Sequence, residues 1–60
     1  MEKMYKTAYP EITYSQVVKG TWRIFTQWEE EDHPSAVGKF YASRIELLCD
    51  LERYAKECGL

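Results

Sequence analysis

The stretch QWEEEDHPSAVGKFY, residues 27 to 41, sets Glu29, Glu30, Glu31 and Asp32 beside the only histidine of the chain, His33, directly before Pro34. Carboxylates and an imidazole in a row raise three chemistries: a metal site, a surface for a basic partner, or a solvated turn. A calcium loop needs oxygen ligands at alternating positions and a glycine at its bend, and this stretch has neither. Zinc needs more nitrogen or sulfur ligands than one histidine supplies. No metal and no cofactor are therefore expected. A solvated hairpin loop, whose charges discourage edge-to-edge joining of sheets, accounts for the composition. The functional alternative is an acidic patch imitating nucleic-acid phosphate, which would steer a basic partner in and weaken with salt.

Two other side chains could do chemistry. Cys49 and Cys58 fall in one helical segment, where the helical rise separates them by roughly 13 Å. A disulfide requires Cα atoms within about 7 Å, so the two are not expected to pair with each other. Their spacing fits no zinc motif. Free thiols suit a reducing compartment. No apolar run is long enough to span a bilayer, and Met1 to Lys6 lacks the apolar core of a signal peptide. The expected location is the cytoplasm, or that of a host cell. His33 has no serine or cysteine nucleophile pattern beside it, and no phosphate-cradling glycine loop is present. A chain of 60 residues has little room for a water-excluding pocket, and an enzyme is not expected.

The elements must position these residues with little material. A domain of this size buries only about 60% of the surface its unfolded chain exposes. Two Trp, five Tyr and two Phe let a small core bury much area per residue and argue against disorder. The net charge of −2 lacks the basic excess of a generic nucleic-acid binder.

The clearest element is C-terminal. Ser43 and Glu46 form the ends of a capping box, SRIE. Gly59 stands where a left-handed residue closes a helix, with Leu60 as the apolar contact beyond it. A helix is predicted over 44–58. At 100° per residue, Leu47, Leu48, Leu51, Tyr54, Ala55 and Cys58 share one arc, the core stripe. Glu46, Asp50, Arg53 and Glu57 lie opposite and should be solvated. Glu52 and Lys56 form a favourable pair one turn apart. Ile45 and Cys49 lie on a flank, as the edge of the core or the start of a partner surface.

Upstream, TWRIFTQWE alternates, with Trp22, Ile24, Thr26 and Trp28 on one side and Arg23, Phe25, Gln27 and Glu29 on the other. Its β-branched and aromatic residues predict a strand over 21–29. Residues 30–35 form the acidic loop, and AVGKFYA predicts a strand over 36–42. Residues 9–19 read either as a strand leading into a Lys19-Gly20 hairpin turn or as a short helix capped through TYSQ. Residues 1–8 carry no pattern and read as loose. The fold class is a single α+β domain, a small antiparallel sheet of two to three strands packed against one C-terminal helix. Trp22 and Trp28 would sit under that helix, or one of them would stand exposed as an interface anchor, and the other sheet face would stay wet.

The segments GTWRIF, residues 20–25, and GKFYASRIELLCDLERYA, residues 38–55, resemble the small N-terminal domains of tyrosine-family phage integrases. Gly20-Thr21-Trp22 opens a strand, Gly38-Lys39-Phe40 lies in the last strand, and Ser43 caps a helix. In that family the sheet face enters the DNA major groove. The resemblance implies a DNA-binding accessory role through Lys19, Arg23 and Lys39. The Glu29 to Asp32 run departs from the pattern, because groove binding is driven by Lys and Arg contacts to phosphate.

The residues favour a non-enzymatic interaction protein, a small regulator or inhibitor of the kind phages and mobile elements encode, acting on a protein partner. The expected contact residues are Arg23, Phe25 and Gln27 on the sheet, Glu29, Glu30, Glu31 and Asp32 in the loop, and Ile45 with Cys49 on the helix flank. A third reading is a homodimer in which a second copy covers the apolar sheet face.

Overall fold

A computed structural model describes residues 3–60. Four strands, β1 (Tyr5–Lys6), β2 (Ile12–Val18), β3 (Thr21–Thr26) and β4 (Ser35–Tyr41), precede one helix, α1 (Arg44–Glu57). The sheet is antiparallel throughout and runs in sequence order, so β1 and β4 are its edges. The α+β class stands, with one more strand than the sequence patterning supplied. Of residues 1–8, expected to be loose, residues 1 and 2 lie outside the described residues, and Tyr5–Lys6 pair with Tyr14 and Thr13.

Residues Ile12–Val18 form a strand and not a helix. Lys19-Gly20 is the two-residue hairpin turn, since Val18 pairs with Thr21. Gly20 alone carries the positive φ, at 79°, as the third residue of a type II turn requires. That turn matches strand twist poorly, and the ladder slips beside it, between Gln16 and Val18.

The strand expected over 21–29 stops at Thr26. The Glu31 carboxylate takes over there, accepting from the Trp28 amide at 2.9 Å and from Ser35 Oγ at 2.9 Å. Trp28 therefore sits half-buried in the loop and outside the core. Trp22 does reach the helix side, half-buried against it.

The core lies between the sheet and α1. Ile12, Tyr14, Ile24 and Tyr41 from the strands meet Leu47, Leu51 and Ala55 from the helix. This stripe is narrower than the periodicity implied, since Leu48 is exposed and Tyr54 and Cys58 are only half-buried. Glu52 and Lys56 do not form an ion pair. Ser43 caps α1 by accepting from the Glu46 amide at 3.2 Å, while the Glu46 carboxylate reaches back to the Ala42 amide at 3.3 Å. At the other end Leu60 donates to the Ala55 carbonyl at 2.9 Å and Gly59 to Lys56 at 3.0 Å. With Gly59 at φ 83°, this is the left-handed closure that glycine favours.

Among the described residues, no helix is long and apolar enough to cross a membrane.

Candidate functional site

Period-two alternation places neighbouring strand residues on opposite faces. In β4, Tyr41 turns to the core and Phe40 must turn away from it. Tyr41 is buried and Phe40 is 58% exposed. Arg23 is the cross-strand partner of Phe40, and its guanidinium lies 4.4 Å from the Phe40 ring centre. The Arg23 Nε also donates to the Val37 carbonyl at 2.7 Å. This bond forms where the β3–β4 ladder is irregular, between Arg23 and Phe25. Arg23 thus props the outermost strand and presents Phe40.

The rest of the outer sheet face is more closed than expected. Phe25 is half-buried and Gln27 lies past the strand end, donating to the Glu31 carbonyl at 3.1 Å. Ser15, opposite Arg23, is fully buried with no partner for its hydroxyl.

On the other side of β4, an open groove of about 470 Å³ separates the strand from the first turns of α1. It is lined by Lys39, Phe40, Tyr41, Ile45, Cys49 and Asp50, with Glu46 on its rim. Ile45 is 74% exposed and Cys49 is an exposed free thiol. The helix flank predicted as a partner surface and the exposed ring of β4 therefore meet along one strand. Phe40 joins them, and the pairing of adjacent aromatics Phe40-Tyr41 in a strand was the signal that one had to face outward.

Asp50 closes the floor of this groove. It was expected among solvated residues, but it accepts from the Tyr41 hydroxyl at 2.6 Å and pairs with Arg53 at 2.6 Å and Lys39 at 3.5 Å. The Tyr41 hydroxyl is the main reason that the Asp50 carboxyl sits below its ordinary value, with Arg53 and Lys39 adding to it against partial desolvation. Burial first, then the Asp50 hydrogen bond and charge, push Tyr41 up to about 12. The Asp50–Tyr41 bond therefore ties the helix to the edge strand.

At the start of β4 the acidic loop divides into two roles. Glu31 is a brace, its carboxyl lowered chiefly by the Trp28 amide and then by Ser35. Glu29, Glu30 and Asp32 are exposed, as is His33, and no cation lies within ion-pair distance of any of the four carboxylates among the described residues. Nor do three His, Cys, Asp or Glu side chains converge there in a metal-binding group.

The three basic residues considered for nucleic acid lie on three different elements. Lys19 is in the β2–β3 turn, Arg23 is on the outer face against Phe40, and Lys39 is on the helix side, paired with Asp50. No protein-family model matches the chain, and neither a curated protein nor a solved structure does.

Proposed function

We propose that the chain is a small protein-binding module, a regulator or inhibitor without catalytic activity, which docks a partner on β4 and the adjoining flank of α1. One observation carries the reading: Phe40, Ile45 and Cys49 are all exposed and border one open groove beside an edge strand. Apolar side chains gathered in one place on a small soluble domain mark an interaction surface more often than chance exposure does. An edge strand adds unpaired backbone donors and acceptors to that surface. The exposed Cys49 thiol fits work in a reducing compartment such as the cytoplasm.

The test is capture of binding partners from a lysate of the native host, with and without nuclease digestion. A defined protein retained after digestion is the expected result. Loss of everything on digestion would replace this reading with nucleic-acid binding, and affinity would then fall steeply with salt.

A further inference from the structure

The β4 surface has a polarity along its length. β4 spans Ser35 to Tyr41, and at a strand's rise this is about 20 Å. At the Ser35 end stand Glu29, Glu30 and Asp32, exposed and without cations. At the Tyr41 end stand the apolar side chains Phe40, Ile45 and Cys49. Of the cations of that end, Lys39 and Arg53 pair with Asp50, and Arg23 lies over the Phe40 ring.

We infer that the occupant of this edge is an extended segment of another protein, basic at one end and apolar at the other, which adds to the sheet as a fifth strand. This rests on the protein-binding reading above and names the chemistry of its partner. Backbone hydrogen bonds to β4 hold the segment, as in other cases of strand addition. Its Lys or Arg residues meet Glu29, Glu30 and Asp32. Its aliphatic or aromatic residues enter the groove over Ile45 and Phe40.

The same polarity argues against a second copy of this chain. Two β4 strands related by a two-fold axis run antiparallel, so each Ser35 end meets the other copy's Tyr41 end. Each acidic loop would then face the other copy's apolar side chains Phe40, Ile45 and Cys49, beside charges that balance, Lys39 and Arg53 against Glu46 and Asp50. Neither the carboxylates nor the apolar side chains would meet their complement, which disfavours that pairing.

The experiment is selection from a displayed library of random nine-residue segments, run against three baits: the native chain, the chain with Glu29→Lys, Glu30→Lys and Asp32→Lys, and Ile45→Lys. All substituted side chains are exposed, and each bait is first checked for the native circular dichroism spectrum and melting temperature. The native chain is expected to enrich segments with Lys or Arg at one end and apolar residues at the other. The loop variant should enrich acidic ends instead, and Ile45→Lys should reduce enrichment at least tenfold. Enrichment without a basic end, no change of preference with the loop variant, or no enrichment at all would overturn the inference. So would a dimer in sedimentation at micromolar concentration that Ile45→Lys dissociates, since a second copy would then be the occupant. A host protein lost with Ile45→Lys but captured equally by the native chain and the loop variant would sink this inference alone and leave the protein-binding reading standing.

Discussion

β1 ends the sheet after two residues, and its Tyr5 ring lies flat on Tyr14, with centres 5.1 Å apart and planes at 13°. Trp22 tilts against both rings. Arg44 reaches from the start of α1 to stand 5.3 Å from the Tyr5 ring, and its Nε donates to the Tyr14 hydroxyl at 3.0 Å. β4 ends the same sheet with seven residues and leaves Phe40 uncovered next to an open groove. Proteins blunt edge strands by making them short or by covering them. β1 is both short and covered, whereas β4 is long and is interrupted only by its irregularity opposite Arg23 and by Lys39. The uncovered edge is the one on which the proposed partner would dock.

Breaking the closed edge should have the largest effect. Tyr14→Ala removes the ring that stacks on Tyr5 and fills the core, at a cost of about 3 kcal/mol or more. At about 4–8 °C of melting temperature per kcal/mol in a domain of this size, thermal denaturation should show the fold lost or nearly so near room temperature. A small shift would mean that the aromatic cluster does not hold β1.

The tie between β4 and α1 comes next. Tyr41→Phe removes the hydroxyl from Asp50 and should cost about 1 kcal/mol. The pH dependence of stability checks its source. The Tyr41 contribution is complete below the unfolded tyrosine value near about 10 and is lost as pH rises toward about 12. The Asp50 carboxyl is depressed, so its contribution is complete above the ordinary carboxylate value of about 4 and is lost as pH falls below it. Denaturant melts of Tyr41→Phe should therefore flatten the alkaline side of the profile, and those of Asp50→Asn the acid side. Profiles unchanged in both variants would remove this bond from the account.

Glu31 gives a smaller, local prediction. Glu31→Ala leaves the Trp28 amide and Ser35 hydroxyl without their acceptor, so amide hydrogen exchange at Trp28 should quicken while the strands keep their protection. Equal exchange at Trp28 would show that the loop is held otherwise. The smallest effect is expected at the open edge itself: Phe40→Ser and Ile45→Lys should each change stability by no more than about 0.5 kcal/mol. A larger loss would mean that these side chains are part of the core.

The helix was legible because its signals are local, Ser43 and Gly59 bracketing α1, and the hairpin was legible only as one of two readings, since Gly20 could close a turn or a short helix. β1 was not, because two residues carry no period and become a strand only by pairing with Thr13 and Tyr14. The end of β3 was missed because alternation continues through Trp28 while a carboxylate three residues on captures its amide. Helical periodicity set Asp50 opposite the core, but Tyr41 and Lys39 come from another element and could not be seen from α1 alone. Of the surface, Ile45 and Cys49 were visible as surplus apolar residues on a flank. Their meeting with Phe40 depends on how the helix crosses the sheet. The division of the acidic run into a brace, Glu31, and free carboxylates depends on one loop's geometry.

The most direct test sets equivalent changes on the two edges. Ile45→Lys on the β4 side and Met4→Lys beside β1, both at exposed positions, are compared with the native chain for the proteins each retains from a nuclease-treated host lysate. The account predicts that Ile45→Lys loses the partner and Met4→Lys keeps it, with melting temperatures alike. Retention by Ile45→Lys, or loss only with Met4→Lys, would contradict it.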